Sequence, residues 1–419
     1  MSATSKPLRI AIVSQYYRPE HHTIAALLAE RLTERGHAVR VLTSFPNYPR
    51  GRVFDGYRQR WRQRETINGV DVLRVPMYMD HSRSAVRRMA NYLSFGASAA
   101  LAGRWIRSAD VVYVYASQMT SVFGPEVWRL VRGTPYVLHV QDLWPDSITG
   151  SGIVDRGATN RFIDRVLHPW LRGVYRRAAG VIAIAPSMAQ TLVARGAPAD
   201  RVHTVLNWTD ESLLESAARS TPLACSETLP GTVNVVYAGN LGDMQDLETV
   251  IRAAARLLDD ERFRLRIVGT GVAEQRLRAL AASLAATNVD FVGAVPQTQM
   301  PAVYAASDYQ VVSLKGTAAL AGTVPSKLQA SLAFGVPVIV CADGDASAIT
   351  EAAAAGFSAP AGDVAALERA FRHAVSLPPS ERAAMTARAQ QAYGETMSEA
   401  SGVTAIERIL TDAARHARS

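Results

Sequence analysis

Apolar and polar positions follow two periods along this chain. Leu8–Val13 is a short apolar run, followed by a polar loop at Ser14–His22 and then by apolar residues at helical spacing through Thr23–Arg35. Gly36 stops that helix, and Ala38–Thr43 resumes a strand pattern. A β–loop–α–β order is how a doubly wound parallel sheet begins. Further strands are predicted at Val70–Val75, Val111–Tyr115, Tyr136–Val140, Gly180–Ala185 and Val202–Val205, with helical stretches between them. Thr209–Gly231 then loses periodicity, gathers Ser, Thr, Pro and Glu, and reads as a linker.

The second half repeats the grammar. Strands are predicted at Val233–Ala238, Arg264–Val268, Val289–Val292, Tyr309–Ser313 and Val336–Val340. Helices are predicted at Leu247–Leu258, Met300–Ala306, Pro325–Phe334 and Val364–Val375, with an amphipathic segment near Glu399–Ala414. The expected organisation is a Rossmann-like domain over 1–208, a linker over 209–231 and a second Rossmann-like domain over 232–398. A C-terminal helix over 399–419 is expected to pack back on the first domain. Open α/β sheets bind ligands beyond the carboxyl ends of their strands, so two such domains are expected to face each other across a cleft.

Composition narrows the class. The 419 residues are 48% hydrophobic and 20% charged, which excludes a disordered chain. No apolar run approaches the roughly 18 residues of a membrane span, and the N-terminal apolar stretch is too short for a secretory signal. Cys225 and Cys341 cannot form a disulfide framework, and no Cys/His spacing suggests zinc. A soluble cytoplasmic protein is expected.

Charge adds a partner. Residues 1–200 hold 27 Lys+Arg against 14 Asp+Glu, whereas the remainder is mildly acidic. An anionic partner for the first half follows. No nucleic-acid-binding signature is present, which leaves the anionic inner face of the cell membrane. Arg50–Arg64 carries six arginines with Tyr57 and Trp61, and His81–Arg107 sets an apolar stretch between basic flanks. That order fits an interfacial contact and equally a sheet-packing helix with solvated flanks. Lysine is scarce: of 45 basic residues only Lys6, Lys315 and Lys327 are lysines, two of them twelve positions apart. A compact ammonium is not interchangeable with a planar guanidinium, so that segment is where a phosphate is expected.

Several stretches carry a family resemblance. They are Tyr16–Tyr17–Arg18–Pro19–Glu20, Gly36–His37, residues 44–49 (SFPNYP), residues 139–146 (HVQDLWPD), residues 237–242 (YAGNLG) and residues 324–328 (VPSKL). Weaker matches are residues 267–271 (IVGTG), Gly356–Phe357 and residues 360–363 (PAGD). In this order over nearly the whole chain, they resemble the bacterial family 4 glycosyltransferases of the GT-B fold. The branch is the one that builds colanic acid, O-antigen and capsule, including L-fucosamine transferases.

The resemblance implies transfer of a hexose or N-acetylated aminosugar from a UDP-sugar to a saccharide or polyprenyl-diphosphate-linked acceptor. It also implies retention of configuration and no metal or other cofactor. The residues agree on the donor side. Gly239, Asn240, Leu241 and Gly242 follow a strand and precede a helix, so their N–H groups can approach a diphosphate, although a tight strand–helix turn would look the same. Lys315 ends a strand, and Ser326, Lys327 and Gln329 open a helix after Pro325. Cations there would stabilise charge on the leaving diphosphate. Asp343–Gly344–Asp345 imitates a metal-binding motif of the other glycosyltransferase fold but reads as a solvated turn.

On the acceptor side, His139 and Asp142 end a strand where a hydroxyl would react, and either can serve as base. Asp142 also suits a helix N-cap, and His139 a satisfied core histidine. Glu20, His21, His22 and Asn47 are candidate acceptor contacts. Three departures stand out. Gly322 and Ala330 occupy the places of a glutamate pair common in the family, which leaves Gln329, Ser331 and Glu351 as candidates for the ribose and sugar hydroxyls. Met244–Gln245 stands where many relatives have a phosphate-binding lysine. Glu20–His21–His22 replaces a glycine pair. Rival readings are transfer to a small soluble natural product, a GT-B sugar-nucleotide epimerase, and a non-catalytic nucleotide-sugar binder.

Overall fold

The computed structural model describes residues 6–20, 24–48, 51–80, 84–146, 163–217 and 231–416. The chain divides into two compact units, Met1–Val205 with Val403–Ser419, and Leu206–Gly402.

In the first unit, β1 (Arg9–Ser14), β2 (Ala38–Ser44), β3 (Gln63–Ile67), β4 (Val70–Val75), β5 (Val111–Ala116), β6 (Tyr136–Val140), β7 (Gly180–Ala183) and β8 (Val202–Thr204) form one sheet. Their order is β3-β4-β2-β1-β5-β6-β7-β8. All neighbours are parallel except the edge pair β3–β4. Strands β1, β5 and β6 are almost wholly buried, as continuous Val/Ile/Tyr runs must be when helices cover both faces. The order reverses at β1/β5, the switch point where such sheets bind ligands. Strand β3 begins at the end of the arginine-rich stretch Arg50–Arg64, sharing Gln63 and Arg64 with it. Arg64 on it stacks over the Trp105 ring at 4.6 Å.

Helices α1 (Ile24–Glu34), α2 (Ala85–Ala100), α3 (Phe123–Arg132) and α4 (His168–Arg177) flank this sheet. Helix α2 is the apolar stretch between basic flanks. One face packs inward through Asn91, Phe95 and Ala99, and a Cβ on Gly96 would collide with the Thr120 carbonyl. The other face leaves Val86 and Leu93 exposed, as is Leu101 just after the helix. The sheet-packing reading describes the inward face of this helix.

In the second unit, β9 (Val233–Ala238), β10 (Phe263–Val268), β11 (Val289–Gly293), β12 (Tyr309–Ser313), β13 (Val338–Cys341) and β14 (Gly356–Ala359) form a parallel sheet in the order β11-β10-β9-β12-β13-β14. Its switch point lies between β9 and β12. Helices α5 (Leu247–Ala254), α6 (Ser326–Ala333) and α7 (Asp345–Ala352) follow strands of this sheet.

The final helix, α8 (Glu399–His416), starts in the second unit and contributes residues from Val403 onward to the first. There Val403, Ile406, Ile409, Leu410, Ala413 and Ala414 are buried. Glu407 accepts from Arg35 Nη1 at 2.5 Å and hydrogen-bonds His37 Nε2 at 2.9 Å. The Leu8 amide donates to His37 Nδ1 at 3.1 Å, so the ring's proton sits on Nε2 and is given to Glu407. Gly36–His37 is thus a structural pair.

The unit boundary lies at 205/206, ahead of the linker expected at 209–231. Trp208 is buried against Gly402, and Tyr393 Oη accepts from the Thr209 amide at 3.4 Å, which draws this stretch into the second unit. A short helix, Ser212–Ala217, occupies part of the expected linker, and residues 218–230 lie outside the described ones.

Candidate active site

In the second unit, the carboxyl ends of β9 and β10 interlock backbone to backbone. Gly239 (φ +147°) and Gly269 (φ +133°) adopt conformations L side chains rarely take, and a Cβ on Gly269 would strike the Gly239 carbonyl. The Gly239 amide donates to Val268 O at 2.8 Å and the Leu241 amide to Thr270 O at 2.9 Å. Two of the four N–H groups expected to face a diphosphate are therefore spent on the neighbouring loop, which leaves those of Asn240 and Gly242. Leu241 is fully buried and Asn240 is exposed.

Lys327, in the first turn of α6, lies across Gly239. A Cβ at Gly239 would collide with its Cε, so glycine there is also a passage for the lysine. The ammonium rests 4.9 Å from the centre of the Tyr237 ring, and the Tyr237 hydroxyl donates to Asn240 O at 2.6 Å. Burial lowers the Lys327 amine to about 8. Lys315 follows β12, is exposed, and its amide donates to Met244 O at 2.9 Å. Lys315 and the Gly239 loop thus follow β12 and β9, the two strands of the switch point.

Other expected donor contacts divide. Ser326 is exposed at the start of α6. Gln329 is 3% exposed and Ser331 is fully buried, donating to Lys327 O at 2.7 Å; neither is open to a ligand as placed. Glu351 accepts from Ser358. Asp343 and Gly344 are exposed, as a solvated turn requires, with Asp343 accepting from the Ala361 amide at 3.1 Å, while Asp345 is buried in the first turn of α7. Asp363 caps its helix by accepting from Ala366 N at 2.9 Å. Among the described residues no group of three or more His, Cys, Asp or Glu is placed to hold a metal ion.

In the first unit, Asp142 lies just beyond β6, exposed at the edge of an aromatic cluster. The surrounding protein desolvates its carboxyl and lifts it to about 6. Its charge in turn helps burial push up the phenols of Tyr16, Tyr92 and Tyr115. Tyr16 packs on Tyr48 with ring centres 5.5 Å apart, and Tyr92 on Trp144 at 5.8 Å. Arg195 fixes that last segment by donating to Trp144 O at 2.8 Å and to Asp146 at 2.6 Å. Buried amides hold the floor: Gln15 Nε2 donates to Asn91 Oδ1 at 2.9 Å, and Gln118 donates to Gln15. A carboxylate at the edge of an aromatic cluster suits a sugar, whose C–H faces stack while its hydroxyls hydrogen-bond.

Three expected acceptor-side residues are corrected. His139 is fully buried, and burial lowers its pKa to about 3, which keeps the ring neutral. It pairs through Nδ1 with the Tyr113 hydroxyl at 2.5 Å and packs edge-on against Tyr115, so as placed it supports the cluster, while its Nε2 is buried without a hydrogen-bond partner among the described residues. Glu20 is 2% exposed; its carboxylate accepts from the amides of Asn47 (2.7 Å), Tyr48 (2.8 Å) and Tyr17 (3.2 Å). Asn47 is fully buried and donates to Phe45 O at 2.8 Å. Glu20 and Asn47 fasten the loop after β1 to the loop after β2 and thereby seat Tyr16 beside Tyr48. His21 and His22 lie outside the described residues. The tyrosines were missed as site residues although the shared stretches contain Tyr16, Tyr48 and Trp144; nothing in sequence alone marks Tyr92.

Two family models match the chain: "Glycosyl transferase 4-like domain" over residues 21–208, and "Glycosyl transferases group 1" over residues 226–392. A protein of Escherichia coli (strain K12) named as the colanic acid biosynthesis glycosyl transferase WcaI is 28% identical over 346 residues, spanning 80% of this chain and 84% of its own. Among solved structures, Anabaena HepE in complex with UDP and glucose superposes with a TM-score of 0.66 at 15% identity, covering 96% of this chain and 99% of that one. WaaG, a glycosyltransferase involved in lipopolysaccharide biosynthesis, gives 0.62 at 16% identity, with coverage of 96% and 99%. Both share the two-domain GT-B architecture.

Proposed function

We propose that this chain, a member of the family 4 glycosyltransferases in the branch WcaI represents, moves a hexose or N-acetylated aminosugar from a UDP-sugar to a saccharide or polyprenyl-diphosphate-linked acceptor in surface polysaccharide synthesis. The observation that carries the donor half is Lys327, a desolvated ammonium laid over Gly239 at the end of β9. The capture of UDP by HepE supports the choice of nucleotide. In this reading Lys327, Lys315 and the amides of Asn240 and Gly242 take up the charge that builds on the departing diphosphate. Asp142, ionised above about pH 6, accepts the proton of the attacking hydroxyl, and the aromatic cluster orients the acceptor sugar. Transfer retains configuration, the hydroxyl attacking from the face that the diphosphate leaves, and needs no divalent metal.

Incubation with a panel of nucleotide sugars and a lipid-diphosphate saccharide, followed by product analysis, tests this. A UDP-sugar should yield glycosylated acceptor; an epimerised nucleotide sugar, or binding without turnover, would reject the reading.

The lipid-linked acceptor belongs with peripheral seating on the anionic inner face of the membrane. Exposed Val86 and Leu93 on α2 and Leu101 just after it, exposed Val127, Leu130 and Val131 on α3, and the exposed Trp61 among Arg58, Arg60, Arg62 and Arg64 support it. No helix among the described residues is long and apolar enough to cross a membrane. Each arginine near such a surface contributes about 1 kcal/mol, so three or four suffice for reversible attachment. Sedimentation with anionic liposomes should fall with added salt and with a Val86→Ser/Arg87→Glu/Leu93→Ser variant, while UDP binding is unchanged. Failure of the wild type to sediment even at low salt would favour a soluble acceptor.

A further inference from the structure

The first unit carries a second concavity, at the opposite end of its sheet from Asp142. A cavity of about 440 Å³ opens where β6, β7 and β8 begin, between Pro135, Ala179 and Asp200–Arg201, and is closed on one side by α8 through Ile409 and Asp412. Strand β6 separates it from Asp142 by about 17 Å, at roughly 3.3 Å per residue. The volume lies in the range of small-molecule sites.

Its walls are cationic without being satisfied. The Arg129 guanidinium has no hydrogen-bond or ion-pair partner among the described residues. That of Arg201 makes only long contacts, 3.5 Å to Arg176 O and 3.4 Å to Ala178 O. Arg177 is different: it pairs with Glu126 at 2.5 Å, and Glu126 accepts from the Tyr136 hydroxyl, so it belongs to the wall itself. His203 adds an imidazole. Asp200 and Asp412 offset the charge of these two guanidiniums on the lining without an ion pair to either among the described residues, which leaves the guanidinium N–H groups available to a bound anion. The carboxylates of Asp200 and Asp412 stand on the same lining and are acceptors for hydroxyl groups, while Ile409, Ala179 and Pro135 supply an apolar floor.

We propose that this cavity binds a small phosphorylated sugar, its phosphate held by Arg129 and Arg201 and its hydroxyls by Asp200 and Asp412. Guanidinium forks match phosphate oxygens, and the carboxylates would reject a bare polyanion while favouring a polyol. The site lies within the first unit and is independent of the donor reading above.

Calorimetric titration of the full chain with glucose 1-phosphate, inorganic phosphate and glucose tests it. Glucose 1-phosphate should bind, glucose should not, and inorganic phosphate should bind more weakly. Arg129→Glu/Arg201→Glu should weaken glucose 1-phosphate by tenfold or more, as loss of charge-assisted hydrogen bonds requires, and leave UDP affinity unchanged. Arg129→Gln, a milder change on a partly exposed side chain, should weaken it in the same direction. Asp412→Asn should narrow the gap between glucose 1-phosphate and inorganic phosphate. Lys327→Met should leave glucose 1-phosphate binding intact. Absence of binding, or binding lost in Lys327→Met but kept in the arginine variants, would overturn the proposal by placing the ligand in the other unit.

Discussion

Replacing Lys327 by methionine separates what the ammonium does for a ligand from what it does to the fold. The fall from the ordinary 10.5 to about 8 amounts to ~3 kcal/mol withheld from the charged form by burial. A lysine whose folded-state pKa lies below its unfolded value destabilises the fold while charged. That cost is full below pH 8 and vanishes as the pH passes 10.5. Methionine keeps the stem and removes the charge, at the loss of about 1 kcal/mol of contact with the Tyr237 ring. The variant should therefore be more stable by about 2 kcal/mol at pH 7, and the gain should shrink toward pH 10.

UDP affinity should move the other way, weaker by about 1.5–3 kcal/mol, or tenfold to over a hundredfold. A diphosphate also returns the amine toward its ordinary pKa, so binding takes up a proton. Between pH 7 and 8.5 the protonated fraction of a group titrating at about 8 falls from about 0.9 to about 0.24, and the wild-type dissociation constant should rise about fourfold. Titration calorimetry in buffers of different ionisation enthalpy reads both quantities, and the ligand's own ionisation is common to wild type and variant. Equal affinity of the two proteins for UDP, or the same pH dependence in both, would refute the assignment of Lys327 to the diphosphate.

Asp142→Asn should lower kcat by about 10²–10⁴-fold and remove the rise of kcat/KM through about pH 6 expected of the wild type, measured by release of UDP in the presence of acceptor. Gly269→Ala should unfold or grossly loosen the second unit, seen as a lost thermal transition and lost UDP binding, because the added methyl meets the Gly239 carbonyl at a positive φ. Glu407→Gln should destabilise by about 1–2 kcal/mol. Burial raises this carboxyl, but His37 and Arg35 together hold it below the usual range, so its contribution is present at neutral pH and lost progressively on acidification below the ordinary glutamate range, which urea melts at neutral and increasingly acid pH would show. Full activity in EDTA is expected; complete loss restored by magnesium or manganese would contradict charge stabilisation by side chains and amides alone.

Much of the fold was legible in the sequence because parallel strands buried on both faces are continuous apolar runs. Val70–Val75, Tyr136–Val140, Val233–Ala238 and Tyr309–Ser313 have the bounds the pattern predicts. Strand β3, with its alternating half-exposed residues QRETI on an antiparallel edge, has no such run and was hidden among arginines. The unit boundary lies three residues ahead of the expected one, in a stretch where Trp208 packs on Gly402 almost two hundred residues later, a contact no local pattern announces. The turn at Gly239–Gly242 and the nearby Lys327 were readable from glycine spacing and from lysine scarcity. The acceptor side was less so: residue type suggested Glu20, Asn47 and His139 as ligands, but a carboxylate, an amide and an imidazole serve equally to fasten loops. Only the burial of each side chain and its backbone partners tells the two uses apart.

The return of α8 to the first unit bears on how the protein is made. When residue 205 leaves the ribosome, the sheet β1–β8 is complete but the surface that Val403, Ile406, Ile409 and Leu410 cover is still bare. At about 5–20 residues per second, the intervening 206–402 take roughly 10–40 s to synthesise. Throughout that interval the nascent first unit carries an apolar groove beside Gly180, where Ile409 will sit, and lacks the Glu407 partner for Arg35 and His37. Its folding is therefore completed only once residues 403–416 have been translated. A fragment ending at residue 205 would reproduce the sheet without its seal, and supplying residues 403–416 as a separate peptide is the way to restore it.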